Sequence, residues 1–187
     1  MEMRTKGTYG IHCSFYHYGF EHLVINLYHY CSKKIAQGDI IYFSVDPQIF
    51  EEIVDVFKEN GNLDLGKIKN RPIFEIIPPE TEQNQLKKIE EKLNRIINRE
   101  VAKGHKGISW INQVEYAVQK ISEEKINQVE KYFNDLLSDK KASMLCFYDY
   151  ETYLNTGKNK DLIFNSHKTH DYLLYKMEVS KKKINIS

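Results

Sequence analysis

Ile40-Ile41-Tyr42-Phe43-Ser44-Val45 runs almost without interruption through apolar side chains and stops at Asp46-Pro47. A strand with one solvated face alternates apolar and polar residues, whereas a strand covered on both faces reads as a continuous apolar run. This stretch therefore predicts an interior strand of a sheet with helices on both sides. Asp46-Pro47 suits the cap and first position of a helix. Ile49, Ile53, Val54 and Phe57 then recur at helical spacing, and Asn60-Gly61 ends the run.

The same grammar extends in both directions. Ile11 to Tyr16 predicts a first strand, and a helix opens at Gly19 with Phe20, Leu23, Val24, Leu27, Cys31 and Ile35 on one stripe and Gly38 at its end. Downstream, Ile73 to Ile77, closed by Pro78-Pro79, predicts a third strand. A long helix follows over about 80–103, with Leu86, Ile89, Leu93, Ile96, Ile97 and Val101 inward. Gly107 to Ile111 predicts a fourth strand, about 122–138 a helix, Ser143 to Tyr148 a fifth strand, about 159–166 a short helical segment, and Tyr172 to Tyr175 a last strand. Alternation of this kind implies an α/β fold with a mostly parallel sheet and helices on both faces. In such sheets ligands bind beyond the carboxyl ends of the strands.

The chain has 187 residues, 41% hydrophobic and 28% charged, which suits one domain with an ordinary core, expected to span 1–187 with its core at about 9–176. The net charge of +1 points to neither nucleic acid nor an acidic membrane surface. The one concentrated basic run, Lys181-Lys182-Lys183, reads as a solvated tail. No apolar stretch approaches the roughly 18 residues of a bilayer span. Met1 to Gly10 has no apolar signal core, so a cytoplasmic location is expected. Three widely spaced cysteines, Cys13, Cys31 and Cys146, fit reduced thiols rather than a disulfide framework.

Familiar catalytic patterns are missing. The first strand runs into Phe15-Tyr16-His17-Tyr18-Gly19-Phe20, with no lysine and no spaced glycines to cradle a phosphate. Thr156-Gly157-Lys158-Asn159 has a Gly-Lys pair without the rest of a phosphate loop. Asp46 and Asp149, each after an apolar strand, read as helix caps. No Gly-x-Gly-x-x-Gly, Gly-x-Ser-x-Gly, His-Glu-x-x-His or paired Cys-x-x-Cys occurs, so no cofactor and no metal site is expected from local spacing. His22 and His29, seven apart on the first helix, read as exposed polar-face residues.

Taken in order, these segments carry a resemblance. His12-Cys13-Ser14-Phe15-Tyr16 is similar to the opening strand of the MEDS sensory domain, a family named for methanogens, methylotrophs and a dichloromethane-responsive regulator. The Gly38-Asp39 turn before Ile40 to Val45 resembles that family's next step. So do Gly107 to Val118, with Gln113, Tyr116 and Ala117 at the marked positions; Glu130 and Asn134; Met144-Leu145-Cys146-Phe147-Tyr148-Asp149; and Thr169-His170. Two positions depart from the pattern: Gln113 stands where the family has glutamate, and Tyr116 where it has tryptophan. His167 competes with His170 for the last position.

The resemblance implies a RecA/KaiC-like fold that has lost its phosphate loop. It also implies a non-catalytic sensory role in signal transduction, with a small, hydrocarbon-like ligand. Relatives of this kind are often attached to DNA-binding or histidine-kinase modules. No such module is evident in the 187 residues, so signalling is expected to pass through a protein partner (a regulator or kinase) or a homo-oligomer. The alternative is a protein-interaction module built on a degenerate nucleotide-binding fold with no small ligand. The expected ligand-binding residues are His12, Tyr16, Gln113, Tyr116, Tyr148 and His170, which mostly pair an apolar body with one polar tip.

Overall fold

The protein was analysed as a computed structural model that describes residues 9–77, 85–157 and 160–181. Seven strands form one sheet: β1 Ile11–His17, β2 Ile40–Ser44, β3 Ile68–Asn70, β4 Ile108–Gln113, β5 Ala142–Asp149, β6 Tyr172–Tyr175 and β7 Glu178–Lys181. Their order is β3-β2-β4-β5-β1-β6-β7. Every pairing is parallel except β6 with β7. Helices α1 Gly19–Ala36 and α2 Pro47–Glu59 pack on one face. The other face carries α3 Gln85–Ala102, α4 Val114–Lys120, α5 Glu123–Leu137 and α7 Lys160–Thr169, and α6 Tyr150–Thr156 follows β5.

The two faces give two cores. Leu23, Val24, Leu27, Ile53 and Phe57 meet Cys13, Phe15, Ile41, Phe43, Leu145 and Phe147 on the α1–α2 side. Ile89, Leu93, Val129, Phe133 and Leu137 meet Tyr42, Trp110, Met144, Cys146 and Tyr148 on the other. β2 is buried at every position, as its unbroken apolar run requires. Asp46 and Asp149 do cap helices, accepting from the Gln48 and Thr152 N–H groups at 2.9 Å each.

One expected strand is not a strand. Ile73–Glu75 forms a short 3₁₀ helix, and the third strand is the less apolar Ile68-Lys69-Asn70. Pro72 has no N–H to offer a sheet partner, and the Ile73 N–H donates to the Ser44 hydroxyl at 2.8 Å. Ile73, Ile76 and Ile77 bury themselves at helical spacing instead. Pro78-Pro79, the start of the long helix, Lys158-Asn159 and Lys182-Lys183 lie outside the described residues. Among the described residues no helix is long and apolar enough to cross a membrane.

The start of β4 has a tight steric constraint. The Gly107 carbonyl accepts from the Ile40 N–H at 3.1 Å. A Cβ at Gly107 would meet the ring edge of Tyr9 and, at 2.6 Å, the Lys141 carbonyl oxygen. Gly107→Ala is expected to lower stability by about 1–3 kcal/mol through overpacking. The measurement is the urea midpoint at unchanged m value; a wild-type midpoint would remove this packing argument.

Candidate functional site

β1 turns His12, Ser14 and Tyr16 toward the α5–α7 face, and β5 turns Met144, Cys146 and Tyr148 the same way. His12 stands opposite Met144 and Ser14 opposite Cys146, so His12 and Cys146 are diagonal neighbours on one face. The His12 Nε2 lies 3.6 Å from the Cys146 Sγ. Neither side chain reaches solvent.

Two helical segments complete the group. Ile126, Val129, Phe133 and Leu137 are the buried stripe of α5, and Glu130 lies within that stripe. Its Oε2 is 3.4 Å from His12 Nε2 and 3.1 Å from His170 Nε2, and its Oε1 accepts from the Cys146 thiol at 3.4 Å. His170 follows α7. The Asn134 amide, one turn beyond Glu130, donates to the Thr169 carbonyl at 2.8 Å and fixes the end of α7 against α5. The His12 and His170 rings lie tilted at 37° with centroids 3.8 Å apart, and Phe133 flanks His12 at 5.5 Å.

The electrostatics follow from this enclosure. Burial alone would raise the Glu130 carboxyl, but the His170 and His12 charges and the contacts from His12 and Cys146 hold it at about 2. Burial, with Glu130 beside it, pushes the Cys146 thiol well up. The His170 Nδ1 lies 3.0 Å from the Ser166 carbonyl and 3.0 Å from the Thr169 hydroxyl; the carbonyl can only accept, so the Nδ1–H tautomer is the one that bonds it.

Closer to the carboxyl ends of the strands sits an aromatic group. The Tyr16 and Tyr148 rings are 5.5 Å apart, and His167 stacks on Tyr16 at 4.9 Å. The Tyr16 hydroxyl shares a 2.6 Å hydrogen bond with Ser166, and Tyr148 meets His170 edge-on at 6.0 Å. Four of the six expected residues, His12, Tyr16, Tyr148 and His170, thus form one continuous contact chain. The other two lie apart from it. The Gln113 side chain accepts from the Asp46 N–H at 3.1 Å, toward the α1–α2 side, and Tyr116 packs on Phe74 at 5.7 Å. His167 and His170 both take part, one at the edge and one in the centre.

Glu130 and Cys146 were not among the expected site residues. They, His12 and His170 come from four separate elements, so no local spacing could betray them. Two signals were available: the family resemblance marks both positions, and Glu130 occupies a core-facing position at i+4 from Ile126 and i−3 from Phe133, where an acid has no reason to be unless it is paired.

Glu130→Ala would leave two buried imidazoles beside an unmatched thiol. It is expected to cost about 3–5 kcal/mol of stability by chemical denaturation, with a loss below about 1 kcal/mol refuting the pairing. A second acid gives a pH signature. Glu115, whose Oε1 accepts from the Asp149 N–H at 3.1 Å, is raised by burial to about 7, partly offset by its own and the Asp149 N–H groups. Between the ordinary value of 4.5 and 7 the unfolded chain loses this proton and the folded chain keeps it, so stability falls as pH rises through that window. Glu115→Gln should match wild type below pH 4.5 and exceed it by up to about 3 kcal/mol above pH 7. Melting curves across that range would check this, and parallel profiles for the two proteins would refute it.

No curated protein matches the sequence. A solved structure with a similar fold is titled "Structural study of Project ID PH0250 from Pyrococcus horikoshii OT3"; at 9% identity it superposes with a TM-score of 0.55 over 95% of this chain and 88% of its own. A family model described as MEDS, MEthanogen/methylotroph, DcmR Sensory domain, matches residues 12–170. That span begins at His12 and ends at His170, two of the buried cluster's side chains, and contains the other two. It covers most of the chain, which therefore belongs to the MEDS sensory domain family.

Proposed function

We propose that this chain is a non-catalytic sensory domain that binds a small, mostly apolar molecule beside Tyr16 and Tyr148 and signals through a protein partner or its own oligomer. Family membership supports the sensory part. The observation that carries the non-catalytic part is that the groups with acid–base or nucleophilic chemistry, His12, Glu130, Cys146 and His170, are sealed inside the sheet–helix seam. A catalyst must bring such groups within hydrogen-bond reach of substrate. The β1–α1 connection, one residue long at Tyr18, donates its N–H to His22 and offers no loop to wrap a phosphate.

The aromatic edge suits a small apolar ligand, because the partly buried Tyr16 and Tyr150 carry ring faces with a hydroxyl at each tip, backed by the buried Tyr148. A second reading has its own support. A groove of about 480 Å³ between α1 and α2 is lined by Phe20, Val24, Ile25, Tyr28 and Val56, and Ile25 is 50% exposed. An interaction module with no small ligand would use such a face.

Short-chain alcohols and alkyl halides, screened by melting temperature, separate the two readings. A ligand that binds the native state raises the melting temperature with concentration. Tyr16→Leu is expected to abolish that rise while Ile25→Ser leaves it intact. No rise with any compound, together with an oligomer that Ile25→Ser dissociates, would overturn the small-molecule reading in favour of the interaction module.

A further inference from the structure

His12, Glu130, Cys146 and His170 each offer one ligand-type atom, and these four atoms all lie within 4.8 Å of one another. The donor set is two imidazole nitrogens, one carboxylate oxygen and one sulfur, the types that borderline divalent metals bind. Bonds of about 2.0–2.3 Å at tetrahedral angles separate neighbouring donors by about 3.3–3.6 Å. The separations here are 3.1 Å from His170 Nε2 to Glu130 Oε2, 3.4 Å from His12 Nε2 to the same oxygen, and 3.6 Å from His12 Nε2 to Cys146 Sγ. Three of the six donor separations thus stand close to those of such a tetrahedron, and all four ligand atoms lie within 4.8 Å of one another.

The surrounding bonds agree. In the neutral Nδ1–H tautomer, which bonds the Ser166 carbonyl, His170 turns its Nε2 lone pair toward Glu130. A ring proton given to a backbone carbonyl is the usual support behind a metal-bound histidine. The Glu130 Oε2, sealed from solvent, accepts no well-formed hydrogen bond despite two imidazole nitrogens within 3.4 Å. A neutral imidazole sets its lone pair against the carboxylate, a repulsion that either a proton on the ring or a metal cation between the two atoms removes.

We propose that His12 Nε2, Glu130 Oε2, Cys146 Sγ and His170 Nε2 ligate one divalent metal ion of the zinc class in a closed, four-coordinate site. Charge balances: one dication, one thiolate, one carboxylate and two neutral imidazoles sum to zero, which suits a fully buried position. Binding releases the Cys146 thiol proton to solvent, and any second proton held on an imidazole with it. With all four positions filled by protein, the ion ties β1, β5, α5 and the end of α7 together rather than activating a water. The site does not depend on the small-molecule reading, and either can fail alone.

The test is titration of the reduced, chelator-stripped full chain with Co²⁺, which reports geometry and donor type by its absorption. The expected result is one equivalent taken up, the intense visible bands of tetrahedral cobalt, a thiolate-to-cobalt charge-transfer band in the near ultraviolet, and displacement by Zn²⁺. Cys146→Ser should lose the charge-transfer band. Absence of saturable uptake, a weak octahedral spectrum, or a charge-transfer band that survives in Cys146→Ser would overturn the proposal. The first two are read on wild type, so they decide the matter even if the variant fails to fold. In either case the cluster would be a buried hydrogen-bonded ion pair, with a histidine protonated against Glu130.

Discussion

Burying a carboxylate costs several kcal/mol unless charge and hydrogen-bond partners are brought in with it. Glu130 imposes that condition on the middle of this molecule. Meeting it requires His12 at mid-β1, Cys146 at mid-β5, and an α7 that ends where His170 reaches back to α5. The contacts are met in the observed register, with His12 opposite Met144 and Ser14 opposite Cys146, and a one-residue slip would turn His12 to the other face. Asp39, at the opposite edge, shows a different solution to the same problem. Its oxygens accept from the Tyr9 hydroxyl at 2.6 Å and the Ser109 hydroxyl at 3.0 Å, with Lys34 at 3.9 Å, so ordinary donors satisfy it. Glu130 is surrounded instead by soft and imidazole groups.

How much of this could be read beforehand depended on whether the signal was local. The run from Ile40 to Val45 declares a doubly covered strand by itself, because every side chain on both faces must be apolar. Stripes such as Leu23, Leu27 and Cys31, or Ile89, Leu93 and Ile96, declare helices in the same way. Local reading failed where one residue's bonding overrode the pattern. Ile73 to Ile77 looks like a strand until the missing N–H of Pro72 and the Ser44 hydroxyl on the Ile73 N–H are considered. The β6–β7 hairpin turns on Lys176 and Met177 at φ 49° and 63°, a left-handed pair for which the sequence supplies neither glycine nor asparagine. α4 starts directly on the last residue of β4, leaving no turn residues to mark it.

The site was half legible for the same reason. His12, Tyr16, Tyr148 and His170 stand at positions that the family resemblance marks, and the fold gathers them. Gln113 lies near the same edge by sequence, yet the alternation along β4 sends its side chain to the other face, where it binds the Asp46 N–H. Glu130 and Cys146 also stand at positions that the resemblance marks, but nothing in the spacing assigns them to one site; only the convergence of four elements does.

That convergence also joins the two parts of the site. The Tyr16 hydroxyl bonds the Ser166 hydroxyl at 2.6 Å, and the Ser166 carbonyl accepts from His170 Nδ1 at 3.0 Å. Ser166 therefore touches the aromatic edge with its side chain and the buried centre with its backbone. A group that displaces Tyr16 pulls on α7 at the residue that orients the His170 ring. A change in charge at Glu130 reaches Tyr16 by the same two bonds in reverse. Linkage makes the effect mutual: whatever free energy couples an occupant of the edge to the state of the centre acts equally in both directions. The path is short, it runs through one turn of one helix, and the end of α7 is held against α5 by the Asn134 to Thr169 hydrogen bond, by the His170–Glu130 contact and by apolar packing.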